Sequence, residues 1–442
     1  MNHLSLTHLI ISLLAGILLI VLLTAKFRIH AFFALFIACL VVGLSVQMPV
    51  AQILNAMKDG FGHIMSSLAL VIVLGTTLGV LLEHSGSTKV MANFILAKTG
   101  EKKAAMAMSI TGFVVGLPIF CDSGYIVLSG LAKSLAKRSR TSMAVIATAL
   151  ATGLYSVHCL IPPHPGMSAA AANLKLDFGR LILTGIIIAI PAAIIGLLWA
   201  NYAGKKFATD VIAEETPVTD QTQLPSVIRS FLPVIAPILL IAVKSFLPVA
   251  ATGNQSWFYE LLTITGEPVI ALAIGILLAL GNIKGKESFT QVLQEAAEKA
   301  GGILVIIGAG GAFGAVLAAT NPAAHFAGIE ASGKLGILIP FLITFILKTA
   351  QGSSTVAIIT ASSLIQPLLP ALGMDSETGR LLAVLSMGAG SMMISHANDA
   401  YFWVIAKFSG LGMNTMLKVY SVATLLMGLT TLLMVYLASF IL

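Results

Sequence analysis

The stretch Gly116-Leu-Pro-Ile-Phe-Cys-Asp-Ser-Gly-Tyr125 places a carboxylate, Asp122, between two apolar runs, 104–120 and 126–132. A charge at bilayer depth costs a few kcal/mol on insertion scales, roughly 2.5–3.5, so its presence there points to function. Gly and Pro beside it permit broken backbone, which a membrane protein tolerates only where it is packed in protein or lines a polar cavity. The stretch therefore reads as half of a binding site held at mid-membrane. The plainer alternative is a kinked helix whose Asp122 reaches the water layer.

The rest of the chain supports a membrane setting. Of 442 residues, 57% are hydrophobic and 10% charged, against about 25% charged in soluble domains. Long apolar runs approach the roughly 20 residues needed to cross a bilayer, and they lack the short alternation of a β-barrel. The fold class is thus an all-α polytopic membrane protein. The net charge of +7 comes from short basic loops that set orientation, and implies no nucleic-acid partner. Cys39, Cys121 and Cys159 lie in apolar segments without metal-ligand spacing, so neither a metal nor a cofactor is expected. The run 9–24 lacks a basic leader and reads as an uncleaved span.

Further along, 32–46 reads as a second span, 49–63 as an interfacial helix, 64–82 as a third span and 87–96 as a surface helix. The two arms around Asp122 are flanked by Lys98, Lys102 and Lys103 on one side and Lys133, Lys137, Arg138 and Arg140 on the other. Both ends are then cytoplasmic, and the short second arm favours a re-entrant hairpin with Asp122, Ser123 and Gly124 at its tip. The span 142–160 breaks at Ile161-Pro-Pro-His-Pro-Gly166, and 181–203 follows.

The second half echoes the first. Gln52-Ile-Leu54 recurs as Gln291-Val-Leu293, Gly75-Thr-Thr-Leu-Gly-Val-Leu-Leu82 as Gly310-Gly-Ala-Phe-Gly-Ala-Val-Leu317, and Ala151-Thr-Gly-Leu-Tyr-Ser-Val-His158 as Ala389-Gly-Ser-Met-Met-Ile-Ser-His396, at a shared offset of about 235 to 239 residues. A second hairpin, 335–364, would carry Gln351-Gly-Ser-Ser-Thr355 at its tip, and its flanks, Glu330 and Lys334 on one side and Asp375, Glu377 and Arg380 on the other, lack the basic cluster of the first. The expected domains are a first repeat at 1–204, a polar cytoplasmic linker at 205–227 and a second repeat at 228–442. Five spans plus one hairpin per half is an odd count, so the repeats would be inverted. Both termini then face outward, and discontinuous helices meet at the midplane as in many secondary transporters.

Ionisable residues far from loops are Asp122, His158, His164, Lys348, His396 and Asp399, each beside a break. Free N–H groups at broken-helix starts suit an anionic substrate group. Ser123, Gly352, Ser353, Ser354, Thr355 and Asn398 complete the candidate binding set. The alternative role for the small residues is close helix packing. His158 and His396 fall at corresponding places in the repeats, while His164 could instead brace an unwound segment. Asp122, Asp399, His158 and His396 are candidate proton carriers, since burial and neighbours bring such groups into the physiological range. Lys348 would neutralise an aspartate or the substrate, or else snorkel to an interface. No zinc-protease, nucleophile-elbow or nucleotide-loop motif is present, so an enzyme is not expected. A passive anion channel is the remaining rival, since water-conducting folds also use such symmetry.

At His158-Cys-Leu-Ile-Pro-Pro-His-Pro165, Gly308-Ala-Gly-Gly-Ala-Phe313, Gly352-Ser-Ser-Thr-Val-Ala357 and Ser395-His-Ala-Asn-Asp-Ala-Tyr-Phe-Trp403 the chain resembles the gluconate permease family over nearly its whole length. The resemblance implies uptake of gluconate or a related small hydroxy-carboxylate with protons, at a bacterial cytoplasmic (inner) membrane. It also implies kinship with transporters in which a mobile domain moves beside a static dimer scaffold, hence an elevator motion and a homodimer. One departure stands out. Gluconate-type relatives resemble Phe-Tyr-Glu-Val-Gly at the first tip, where this chain has Phe120-Cys-Asp-Ser-Gly124. That leaves room for glycerate, fructuronate, another sugar acid or D-serine as substrate. Na+ is the alternative coupling ion, because hairpin carbonyls and Ser/Thr oxygens could also hold it.

Overall fold

The computed structural model describes residues 11–12, 15–16, 18–20, 22–100, 103–207, 224–247, 257–283, 286–320, 336–396 and 399–441. These are helical, with no strand among them. Six of the sixteen residues of the expected first span, most of the linker, the flanks Glu330 and Lys334, and Asn398 lie outside the described residues.

In chain order the helices are α1 (Ala31–Ser45), α2 (Val50–His84), α3 (Ser87–Thr99), α4 (Ala104–Gly116), α5 (Cys121–Ser139), α6 (Met143–His158), α7 (Pro165–Asn173) and α8 (Phe178–Lys206). Then come α9 (Val227–Phe246), α10 (Trp257–Thr265), α11 (Pro268–Leu280), α12 (Lys286–Ala319), α13 (Leu338–Gln351), α14 (Ser354–Ile365), α15 (Glu377–Met392) and α16 (Ala400–Ser409). The last, α17 (Met413–Ala438), contains a π-helical turn at Leu417–Ser421. Starts are set by local chemistry: the Ser142, Asp177 and Ser376 side chains accept the N–H groups of Val145, Arg180 and Gly379, satisfying donors that a helix start leaves open.

Among the described residues four helices are long and apolar enough to cross a bilayer, and up to six if two bent pairs count as one span each. That is fewer than five crossings per half. Several expected spans are short helices packed inside protein: α6 has 16 residues, every one of them buried. The expected interfacial helix and third span form one element, α2, bent by 46° between Val50–Ser66 and Leu68–His84. The expected surface helix, α3, buries Val90, Met91, Ala92 and Ile95 against its neighbours.

Small residues let backbones touch. A Cβ on Gly153 of α6 would stand 2.2 Å from the Ser109 carbonyl of α4, and one on Gly112 would stand 2.5 Å from the Leu150 carbonyl. Such contact replaces the hydrophobic drive that lipid cannot supply. The long helices α2 and α12 pack along each other, and α12 also lies against α14. From the broken helix pair onward the described elements follow one order in both halves: a helix pair around a break, a helix ending at a second break, a short helix and a final long one; in the first half α3 stands between the long helix α2 and its pair.

Candidate functional site

The first break follows α4. Leu117 to Phe120 turn the chain, and α5 begins at Cys121 with no side chain capping it. Asp122, Ser123 and Gly124 are therefore the first turn of α5 rather than the tip itself, because Pro118 ends the preceding helix two residues beyond Gly116. The second break follows α13, where Gly352 adopts φ +76°, a left-handed conformation that costs other residues about 1–2 kcal/mol. Ser353 then caps α14, its hydroxyl accepting the Val356 N–H at 3.3 Å. A third break runs from Cys159 to His164 and includes a cis Pro162–Pro163 bond; α7 starts at Pro165. A fourth ends at Asp399, whose Oδ1 accepts the Tyr401 N–H at 3.0 Å at the start of α16.

All four new helix starts open on one cavity of about 380 Å³. Cys121, Asp122 and Ser123 line it from α5, Pro165 from α7, Gly352 to Val356 from the second tip, and Asp399 to Tyr401 from α16. The facing wall is Lys299, Ile303 and Ile306 of α12, about midway along the apolar span Phe289–Ala319. Each helix start carries the equivalent of roughly half a positive charge from aligned peptide dipoles. Four of them converging make the cavity favourable to an anion.

Side chains adjust that field. Asp122 is exposed to the cavity and accepts a long hydrogen bond from the Cys121 thiol at 3.9 Å. Asp399 is sealed: Lys348 Nζ donates to its Oδ2 at 2.8 Å and the Ser395 hydroxyl at 2.5 Å. Lys348 is 0% exposed, so it neutralises an aspartate and does not snorkel. His158 Nε2 meets Thr355 Oγ1 at 3.4 Å, joining the two halves across the cavity, while its buried Nδ1 has no hydrogen-bond partner among the described residues. Tyr155 stacks on the His158 ring at 6.2 Å, and Tyr155 and Tyr125 both pack on Tyr401.

Of the residues expected from sequence, Asp122, Ser123, His158, Gly352, Ser353, Ser354, Thr355 and Asp399 meet here. Gly124, His164 and His396 do not line the cavity. Gly124 packs on Leu154, where a Cβ would stand 2.8 Å from Leu154 Cδ2. His164 bonds the Gly116 carbonyl at 2.8 Å and so braces the third break against the first. His396 lies four residues beyond α15, whereas His158 is the last residue of α6, so the two histidines differ in setting. Sequence reasoning missed Lys299, Tyr155 and Tyr401. Lys299 belongs to none of the motifs above, and the two tyrosines lie inside the motifs at 151–158 and 395–403 without standing out there. Among the described residues no group of three or more His, Cys, Asp or Glu could hold a metal ion.

Comparison with known proteins agrees with this architecture. A family described as "GntP family permease" matches residues 8–441. The gluconate permease of Pseudomonas aeruginosa is 30% identical over 98% of this chain and 98% of its own length. The D-serine transporter DsdX of Escherichia coli is 32% identical over 97% of this chain and 98% of its own. Among solved structures, the Alcanivorax borkumensis YdaH transporter superposes with a TM-score of 0.61 at 14% identity, covering 85% of this chain and 86% of that one. At that identity the likeness speaks for the fold alone.

Proposed function

The chain belongs to the GntP family of permeases, and on that premise we propose that it imports gluconate or a closely related small hydroxy-carboxylate, coupled to protons, across a bacterial inner membrane. One observation carries the proposal: four helix starts, two of them at the hairpin tips, surround one cavity midway along an apolar span. In this reading the helix starts hold the carboxylate. Ser123, Ser353, Ser354, Thr355 and His158 take the hydroxyls, and the tyrosine floor excludes water.

Coupling follows from the charge. Each negative charge moved inward works against about 2.3 kcal/mol per 100 mV of membrane potential, and one co-transported proton cancels that term. Asp122 is the carrier we assign, because Asp399 is already balanced by Lys348. The same order of elements in both halves supports inverted repeats at 1–204 and 228–442, joined by the linker 205–227. The packed pair α2 and α12 beside the tip-bearing helices supports an elevator motion, with a homodimer as the assembly.

A second reading has its own support. Asp122 lies open to the cavity without a cationic partner among the described residues, a fit for the ammonium of D-serine, and a D-serine transporter is among the relatives. Uptake into proteoliposomes tests both readings. An imposed inward proton gradient should drive accumulation of gluconate above equilibrium, and a sodium gradient alone should not. Competition by glycerate, fructuronate and D-serine ranks the substrates. Mere equilibration under either gradient would leave a channel as the function.

A further inference from the structure

A second cavity, of about 310 Å³, shares three helices with the first, α7, α12 and α14, and is completed by α2, which brings Asp59 and His63 to it. α7 runs from Pro165 in the first cavity to Asn173 in the second, α14 from Ser354 to Ser363, and α12 from Ile306 to Gly314. Eight or nine helical residues span about 12 Å, so the cavities are close neighbours along one line. The first lies near the middle of the α12 span, and the second lies towards its Ala319 end.

What separates them is thin and apolar. Ile358 and Ile359 of α14 are 1% and 0% exposed. A Cβ on Gly310 would stand 2.4 Å from Ile359 Cγ2, and one on Gly166 would stand 3.1 Å from Ile358 Cδ1. Beyond this plug a largely apolar lining carries a few polar side chains. Asn173 Nδ2 donates to the Ser362 and Ser363 hydroxyls at 2.7 and 3.4 Å, and Ser363 donates to the Gly310 carbonyl at 2.7 Å. These bonds tie the three helices together and leave the Asn173 carbonyl as an acceptor. Lys175 and Asp59 also line the cavity, both exposed, and neither enters an ion pair among the described residues.

We infer that this second cavity is a substrate station on one side of the plug, where Lys175 takes the carboxylate and Asn173, Ser363 and Gln366 take hydroxyls of the same hydroxy acid. The station presupposes the transport function proposed above. Its ligand is the cargo because its lining matches that chemistry, because its volume is close to that of the first cavity, and because three helices wall both. Asp59, on the same cavity as Lys175, keeps the site from holding the anion too tightly, as a transit position requires.

Two measurements on the full chain in vesicles test it. Lys175→Gln should raise the half-saturation concentration for gluconate about tenfold, the scale of one charge-assisted hydrogen bond. It should do so only for transport starting from the face onto which this cavity opens. Transport started from the other face should stay within about twofold of wild type, which a general structural defect would not allow. In Gln366→Cys, gluconate should slow labelling by an impermeant maleimide, with wild-type protein as the blank for the three native cysteines. Equal changes from both faces, or labelling and kinetics unaffected by gluconate and by Lys175→Gln, would overturn the station and leave a hydrated crevice only. If the wild-type protein accumulates no hydroxy acid under any gradient, it is the transport function that fails instead.

Discussion

Lys348 and Asp399 form an ion pair closed to solvent, with Nζ 2.8 Å from Oδ2 and side chains 0% and 7% exposed. The pair fastens the first arm of the second hairpin to the broken segment before α16. It also brings Asp399 to the cavity wall with its charge already balanced.

Removing one partner strands the other charge, which costs about 3–5 kcal/mol in buried pairs. Lys348→Gln is therefore expected to lower thermal stability in detergent by that order. The double variant Lys348→Gln/Asp399→Asn should recover more than half of the loss, since neither charge is then left alone. Thermal unfolding of the two variants checks this; equal losses would show that the pair is not what holds the segment.

Asp122 has no such partner among the described residues. Asp122→Asn is expected to abolish accumulation driven by a proton gradient, a loss of at least about tenfold, while exchange of labelled for unlabelled substrate continues. Retained accumulation in Asp122→Asn and Asp399→Asn alike would end the case for carboxylate coupling.

Thr355 bridges the halves through His158. Thr355→Val keeps the shape and removes the hydroxyl, so the half-saturation concentration for substrate should rise about five- to tenfold, the worth of a neutral hydrogen bond. Thr355→Ser should restore it. Steady-state uptake kinetics with both variants separate a polar role from a packing one.

At the contact between α4 and α6, Gly153→Ala would drive a methyl group to 2.2 Å from the Ser109 carbonyl. Overpacking of this kind costs about 1–3 kcal/mol, and relief requires α4, which leads to the first tip, to move off α6. Lower thermal stability together with reduced uptake is expected. Gly130→Ala, where a Cβ would meet nothing within 4 Å, should change neither.

Much of the site was legible because membranes make polarity informative. Asp122, His158, Thr355 and Asp399 stood out as polar residues in apolar runs beside Gly and Pro, and all four line the cavity. His164 was legible as a brace for the same reason: a histidine between prolines cannot join a regular helix. The first tip was placed a few residues late, because a sequence shows that Pro118 ends a helix but not that Cys121 already begins the next one.

Composition and the length of its apolar runs determined that this chain is a bundle of helices in lipid, since backbone groups there must be paired within helices or a closed barrel and the runs lack a barrel's alternation. Motif residues determined the permease family. Only the tertiary structure decided that Lys348 belongs to Asp399, that Lys299 of α12 closes the cavity, and that His158 reaches it while His396 does not. Those outcomes depend on how far each helix extends before it breaks and on which face it turns to its neighbours. Close contacts such as Gly153 with Ser109 set both, between residues far apart in the chain, and local propensity does not encode them.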